Sequence, residues 1–173
     1  MSKMTFILGG ARSGKSRYAA EIAKKLGEKT VFIATATALD EEMKERIRLH
    51  KISRPKSWSL IEEPLNLSKV LLKSKPSYDT ALIDCVGLWI SNLLMANMKD
   101  GEIERKLKEL TDSILKAKFS LVIIVSNEVG TGLVPADPVS RRFRDLVGLA
   151  NQIMAAGADE VIMMQAGIPV RIK

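Results

Sequence analysis

The chain has 173 residues, enough for one domain that buries about two-thirds of the surface of its unfolded chain, and its single cysteine, Cys85, excludes an internal disulfide. No apolar run approaches the roughly 20 residues that a membrane helix needs, and the first residues form no signal-peptide pattern, so we expect a protein of the cytoplasm. The net charge of +7 suits nucleic acid or phosphorylated small molecules, but aromatic residues are few and no basic cluster is interleaved with them, which disfavours nucleic acid as a partner.

A phosphate-binding loop is the first pattern along the chain. The apolar run 4–8 predicts a strand, the helical pattern 17–26 predicts a helix, and residues 9–16 between them fit G-x-x-x-x-G-K-[ST]. The glycines of this loop let successive N–H groups point at an anion. Lys15 supplies a mobile positive charge for the β- and γ-phosphates, and the Ser16 hydroxyl is a candidate ligand for the Mg²⁺ of a nucleoside triphosphate. The loop therefore predicts nucleotide binding but does not identify a reaction.

The one histidine of the sequence lies on the second predicted helix. Residues 30–36 predict a buried strand, and Asp40 is the expected cap of the helix that follows. Met43, Ile47 and His50 recur at i, i+4 and i+7, so they share one face. The residues alone leave two interpretations open. In the first, His50 is half-buried and only packs. In the second, it is a nucleophile, and the nearby cations both keep it neutral and hold a triphosphate against it. The cations near it in sequence are Arg46, Arg48, Lys51 and Arg54.

A carboxylate ends the next strand pattern. Residues 64–75 predict a short amphipathic helix, and residues 78–85 predict a buried strand with Asp84 near its end. Beside a phosphate-binding loop, such a carboxylate holds Mg²⁺ directly or through water, and the alternative is a side chain that only caps the next helix. Cys85 is expected to be a small core residue rather than a reactive thiol.

The second half of the chain predicts supporting elements. Helices 86–98 and 102–118 are separated by a break at 99–101, and residues 119–126 form a continuous apolar run that is typical of a parallel strand. The predicted apolar stripe of the second helix is Ile103, Leu107, Leu110, Ile114 and Leu115. The polar loop 127–132 follows the strand, at the edge where open α/β sheets bind ligands.

The last predicted helix begins at Asp137-Pro138, a cap followed by a first-turn proline. Its predicted stripe is Val139, Phe143, Leu146, Ala150 and Ile153. Arg141, Arg142 and Arg144 near its start are either solvated or placed to clamp phosphate from the same chain or from a neighbouring one. Residues 158–167 and 169–172 predict a strand and a short hairpin partner.

Strands that alternate with helices predict a three-layer α/β fold. The expected class is a P-loop NTPase-like domain spanning residues 1–173, with a mostly parallel, RecA-like central sheet. Its phosphate loop, polar loop and carboxylate would face one side.

Several stretches, taken together, resemble one family, the bifunctional adenosylcobinamide kinase / adenosylcobinamide-phosphate guanylyltransferases of cobalamin assembly. In chain order the stretches are 9–16, 33–36, 40–58 with His50, Arg54 and Pro55, 91–94, 127–130, 143–145 and 167–173. The resemblance runs through essentially the whole chain without a large insertion or deletion. It is therefore far more specific than the phosphate loop alone.

The resemblance implies an enzyme with two activities. It would phosphorylate adenosylcobinamide with ATP or GTP, then transfer GMP from GTP through a histidine to adenosylcobinamide phosphate. His50 occupies the position of the guanylylated histidine, and Lys15 is the second expected catalytic residue. The positions that match GTP contacts are Gly9, Gly10, Ala11, Arg12, Ser13, Gly14, Lys15, Ser16, Ala34, Thr35, Ala36, Lys51, Ile52, Ser53, Arg54, Glu62 and Asp84. The resemblance also implies a homotrimer, and Ser16 and Asp84 are the expected Mg²⁺ ligands.

Two departures and two rival functions accompany this assignment. Asp84 stands where relatives can carry the longer Glu, and no residue in the sequence identifies the general base of the kinase step. One rival is a P-loop kinase for another small metabolite, with a structural His50. The other is a nucleic-acid-stimulated NTPase, motivated by the positive charge.

Overall fold

The computed structural model describes residues 2–26, 29–38, 40–52, 54–74, 77–117 and 119–173, without the side chains of Leu26 and Arg46. The strands are β1 Lys3–Gly9, β2 Thr30–Ala34, β3 Ser59–Glu62, β4 Thr80–Asp84, β5 Leu121–Asn127, β6 Glu160–Gln165 and β7 Ile168–Arg171. The helices are α1 Lys15–Leu26, α2 Glu41–Ile52, α3 Leu67–Ser74, α4 Val86–Met95, α5 Asp100–Ala117 and α6 Pro138–Gly157. Every strand and helix predicted from the sequence is present, with shifted ends. The strand β3 was not predicted.

The strands form one sheet in the order β3-β2-β4-β5-β1-β6-β7. All neighbouring pairs are parallel except β6 and β7, which form the antiparallel hairpin at one edge. The central strands are buried along their length because their side chains are apolar on both faces. This arrangement confirms the predicted mostly parallel sheet.

Helices cover both faces of the sheet, which gives the three predicted layers. On one face, sheet side chains such as Phe6 and Ile124 pack with side chains of α3, α4, α5 and α6. On the other face, Ile7 and Val125 pack with Ala19 and Ala23 of α1. Because the apolar side chains of the central strands alternate between these two cores, burial holds both layers against one rigid sheet.

Helix caps follow the predictions at two positions. The Asp40 carboxylate accepts a hydrogen bond from the Met43 N–H at 2.7 Å. The Asp137 carboxylate accepts one from the Ser140 N–H at 2.8 Å, and Pro138 occupies the first turn. A side-chain oxygen satisfies an otherwise unpaired N–H group at each helix start.

Three details differ from the sequence-based expectation. Helix α5 begins at Asp100 rather than after Gly101, because the Glu102 carboxylate accepts the Lys99 N–H at 2.8 Å and stabilises a helical first turn. Leu115 and Val139 were placed on apolar stripes but are 44% and 69% exposed. Each lies at the margin of its stripe, outside the sector that the sheet covers.

Helix α2 is the least buried helix that frames the site. None of its described side chains is fully buried, and Met43 and Ile47 are half-buried. Among the helices of the described residues, none combines the length and apolar character of a membrane-spanning segment.

Candidate nucleotide-binding site

A cavity of about 470 Å³ lies beyond the carboxyl ends of β1, β2, β4 and β5. Its walls include residues 12–17 of the phosphate loop and of α1, and Met43, Ile47 and His50 of α2. Since parallel strands bring their carboxyl ends to one edge, loops that are distant in sequence meet here.

The phosphate loop has the backbone geometry that its sequence predicts. Gly14 has φ of +92°, a conformation that favours glycine, and the loop is closed by a Ser13 N–H donating to the Gly10 carbonyl at 3.3 Å. At Gly9, an added Cβ would lie 2.6 Å from the Met164 carbonyl oxygen of β6. Gly9 is therefore required by close packing between strands, and Gly14 is required by the conformation of the turn.

Lys15 lies inside the loop rather than in solvent. Its side chain is 8% exposed, and its Nζ donates to the Gly10 carbonyl at 2.7 Å. The Ser13 hydroxyl is buried and has no hydrogen-bond partner among the described residues. The loop thus places an ammonium group beside the N-terminus of α1.

Asp84 lies across from the loop, as predicted. Its carboxylate is hydrogen-bonded to the Ser16 side chain. Burial raises the pKa of Asp84, whereas the Ser16 hydrogen bond and the charges of His50, Lys15 and Arg54 act in the opposite direction. The arrangement gathers a carboxylate, a hydroxyl and three basic side chains around the phosphate loop.

The helix-cap alternative for Asp84 is wrong, because Cys85 is the cap of α4. The Cys85 Sγ accepts the Leu88 N–H at 3.5 Å, and the peptide bond between Asp84 and Cys85 is cis. The Cys85 side chain is buried, and burial raises the pKa of its thiol to about 12. The burial confirms the prediction that Cys85 is a core residue.

His50 lies in the last turn of α2 with an exposed side chain that lines the cavity. The packing interpretation required a half-buried histidine, and this exposure contradicts it. The ring faces the same cavity as Lys15 and interacts electrostatically with Asp84. The structure therefore brings the histidine, the carboxylate and the phosphate loop together.

Arg54 joins the end of α2 to the sheet. Its Nε donates to the His50 carbonyl at 2.9 Å, and its guanidinium carbon lies 4.1 Å from the centre of the Phe32 ring of β2. Burial lowers the pKa of Arg54, while the charges of Asp84 and Glu62 act in the opposite direction. The guanidinium thus remains a cation held by stacking at the cavity wall.

The other predicted cations are divided among different environments. Lys51 forms an ion pair with Glu62 at 2.7 Å, and Lys51 and Ile52 line a neighbouring cavity of about 460 Å³. Arg48 pairs with Glu45 at 2.7 Å on the exposed face of α2 and does not line the main cavity. Ser53 and the Arg46 side chain lie outside the described part of the structure.

Thr35 is buried, although its neighbours Ala34 and Ala36 line the cavity. Its hydroxyl donates to the Cys85 carbonyl and accepts the Cys85 N–H, both at 2.8 Å. The Asn92 side-chain amide donates to the Thr35 carbonyl at 2.7 Å. The Thr35 side chain therefore fixes the chain that follows Asp84 and does not itself face the cavity.

The arginines at the start of α6 lie away from the cavity and have protein partners. Arg142 pairs with Asp100 at 2.7 Å, Arg141 donates to the carbonyls of residues 135 and 136, and Arg144 donates to the Gly130 carbonyl at 3.2 Å. The prediction that they clamp phosphate within their own chain is not supported by these positions.

Seven cavity-lining residues were not among the predicted site residues: Arg17, Phe32, Met43, Ile47, Cys85, Leu88 and Asn127. The sequence pattern predicts Phe32 only as a strand residue and Leu88 only as part of a helix. Asn127 could have been identified from the sequence, because it follows an apolar strand at the edge where open α/β sheets bind ligands.

Comparison with known proteins places the chain in one family. A family model described as "Cobinamide kinase / cobinamide phosphate guanyltransferase" matches residues 5–172. The "Bifunctional adenosylcobalamin biosynthesis protein CobP" of Pseudomonas aeruginosa is 41% identical over 170 residues, which cover 96% of this chain and 95% of the relative. The corresponding CobU protein of Salmonella typhimurium is 37% identical over 181 residues, covering 98% and 99%.

A solved structure supports the fold. The P4 protein of bacteriophage phi6 in complex with ADP is similar with a TM-score of 0.50 and 17% identity, over 97% of this chain and 52% of that chain. At this identity the likeness bears on the fold alone, and it agrees with a P-loop NTPase-like sheet.

Proposed function

This chain belongs to the cobinamide kinase / cobinamide phosphate guanyltransferase family, and from that premise we propose that it is a bifunctional enzyme of adenosylcobalamin biosynthesis. It phosphorylates adenosylcobinamide with ATP or GTP, and it converts adenosylcobinamide phosphate and GTP into adenosylcobinamide-GDP and pyrophosphate. The observation that carries the proposal is that one cavity is lined by His50, Asp84 and the phosphate loop.

In the kinase reaction, the hydroxyl oxygen of adenosylcobinamide bonds to the γ-phosphorus. The bond from that phosphorus to the β–γ bridging oxygen breaks, the nucleoside diphosphate leaves, and the hydroxyl proton is released. The loop N–H groups and Lys15 hold the phosphates in place and offset charge on the leaving diphosphate. Positioning and charge stabilisation are the main contributions that a protein makes to this reaction.

In guanylyl transfer, a ring nitrogen of His50 attacks the α-phosphorus of GTP and pyrophosphate leaves. The resulting P–N bond is then broken by a phosphate oxygen of adenosylcobinamide phosphate, which releases the imidazole. Two displacements thus replace one difficult transfer. Arg54 supports the first, since its hydrogen bond to the His50 carbonyl holds a cation beside the ring-bearing turn.

The residues present fit a bound Mg²⁺. Ser16 and Asp84 are hydrogen-bonded to each other and supply the oxygen ligands that Mg²⁺ prefers. Among the described residues no group of three His, Cys, Asp or Glu side chains forms a complete metal cage, which suits an ion that keeps water and substrate phosphates as ligands. When bound, Mg²⁺ neutralises charge on the phosphates.

We propose further that residues 1–173 act as a single cytoplasmic domain and assemble as a homotrimer. Three exposed apolar side chains near the start of α6 support a surface that another subunit covers: Leu133 at 96%, Val134 at 68% and Val139 at 69% exposure. Multi-angle light scattering measures the mass directly. A mass of one 19.1 kDa chain at micromolar concentration would reject the trimer.

Labelling with α-³²P GTP tests the role of His50. The wild-type protein should acquire acid-labile label, and His50→Asn should acquire none. Leu49→Asn is the matched control, because Leu49 is the adjacent residue on α2, 52% exposed, and does not line the cavity. Label that persists in His50→Asn would reject His50 as the nucleophile. An unlabelled wild-type protein that phosphorylates another small metabolite would favour the plain kinase.

Substitution of Lys15 tests the phosphate loop. Lys15→Ala should slow both reactions, because it removes a charge that contacts the phosphates in each. Lys24→Ala, in the exposed last turn of α1, should leave both rates unchanged. Equal rates for Lys15→Ala and Lys24→Ala would show that the loop does not serve the chemistry.

A further inference from the structure

Asn127 ends β5, the strand that separates the phosphate-loop strand β1 from the Asp84 strand β4. In the sheet register Asn127 lies beside Gly9, where the loop begins, and Val125 lies beside Asp84. The Asn127 side chain lines the cavity. A group at this position therefore lies between the phosphate loop and the carboxylate.

The backbone of Asn127 is fixed by a buried polar network. The Asn151 amide donates to the Asn127 carbonyl at 3.0 Å, and the Ser126 hydroxyl donates to the Asn151 side-chain oxygen at 2.6 Å. Ser126 is 0% and Asn151 8% exposed. On the other side, the Glu128 N–H donates to the Gly9 carbonyl at 2.9 Å. Such partnered networks hold a residue in one position.

The Asn127 side chain itself is held by packing alone. A Cβ added at Gly87, in the first turn of α4, would lie 3.0 Å from the Asn127 Nδ2, so the glycine leaves room for the amide. No described residue makes a hydrogen bond with this amide group. Polar groups in partly enclosed sites usually have partners, so an amide whose position is fixed and whose donors are unused is suited to a ligand.

We propose that the Asn127 amide donates a hydrogen bond to the γ-phosphate of the nucleoside triphosphate held by the phosphate loop. This inference rests on the proposed function only in requiring a bound triphosphate. Lys15 directs the β- and γ-phosphates, so the terminal phosphate lies beyond the end of β1, next to the end of β5. A neutral amide contacts that phosphate without the repulsion that a carboxylate would add.

The test compares GTP with GDP, which differ only in the γ-phosphate. Isothermal titration in the presence of Mg²⁺ measures both affinities for wild type, Asn127→Ala and the near-isosteric Asn127→Asp. Asn127→Ala should weaken GTP binding about 10- to 100-fold, the loss expected for one hydrogen bond to a charged group, and leave GDP binding within about twofold. Asn127→Asp should weaken GTP binding further through charge repulsion. Gln152→Ala, at an exposed amide on α6, should change neither affinity.

A purely structural role predicts equal loss of GTP and GDP affinity, and that result would overturn the proposal. Unchanged GTP affinity in both variants would also overturn it. If Asn127→Ala fails to fold, Asn127→Asp alone decides, because it keeps the shape of the side chain. A wild-type protein that binds both nucleotides but performs neither reaction with cobinamide substrates would reject the proposed function and leave the Asn127 comparison valid.

Discussion

Thr35→Val should destabilise the protein by about 2–4 kcal/mol, although the two side chains have nearly the same shape. The Thr35 hydroxyl is the hydrogen-bond partner of both the N–H and the carbonyl of Cys85, at 2.8 Å each. Thr35 is 0% exposed, so water does not replace the lost partner. Valine leaves the Cys85 N–H without a partner, at a cost of about 1–3 kcal/mol. The Cys85 carbonyl still accepts the Trp89 N–H at 3.1 Å, so the hydrogen bond that it loses costs only about 1 kcal/mol.

Guanidinium chloride unfolding, followed by tryptophan fluorescence, measures this loss. Trp58 and Trp89 are 9% and 1% exposed, so both report on the folded core. Thr35→Ser is the matched control, because it keeps the hydroxyl and loses one methyl group, at a cost of about 1 kcal/mol. If the valine and serine variants unfold at the same free energy, the two hydrogen bonds do not stabilise the junction between β2 and α4.

Three further predictions concern the same region. With a pKa of about 12, the Cys85 thiol should resist a disulfide reagent at pH 8 until the protein unfolds, and rapid labelling of the folded protein would contradict this. Burial raises the pKa of Asp84 above its ordinary 3.8, so the folded state binds this proton more tightly than the unfolded state. The free energy of unfolding should therefore fall as the pH rises from 3.8 through the raised pKa. Asp84→Asn should therefore raise the melting temperature of the nucleotide-free protein at pH 7 and flatten its dependence on pH, and an unchanged pH profile in calorimetry would refute the assignment. Gly9→Ala should lower the melting temperature, because the added Cβ would lie 2.6 Å from the Met164 carbonyl oxygen. Gly10→Ala is the control and should not lower it, because a Cβ added there meets no atom within 4 Å. Equal melting temperatures for the two variants would contradict the packing argument.

The fold was predictable because the strongest patterns are local. The apolar runs of β1, β4 and β5 and the caps Asp40 and Asp137 can be read from a few adjacent residues. The phosphate loop carries its conformation in its own glycines. Alternation of strands with helices then gives the layers, because parallel strands require crossover helices.

The features that the sequence did not predict depend on distant partners. Arg142 pairs with Asp100, forty-two positions away. Its place near the start of α6 suggested a contact with phosphate, and nothing in the sequence indicated this distant partner. The Thr35 hydroxyl has its partners at Cys85, fifty positions away. The stacking of Arg54 on Phe32 is likewise a property of the assembled sheet. The predicted burial of Leu115 and Val139 was wrong for a different reason. The width of a buried stripe depends on how far the neighbouring layer extends, and this is not visible in the helix sequence.

The polar character of α2 makes this helix suitable for separating chemistry from stability. Since none of its described side chains is fully buried, most substitutions within 41–52 should leave expression and melting behaviour near wild type. Saturation mutagenesis of this segment, scored in parallel for protein abundance and for cobalamin-dependent growth, would then map a functional footprint almost free of misfolding. The footprint should coincide with the sector that bears Met43, Ile47 and His50, while the opposite surface accepts nearly any residue.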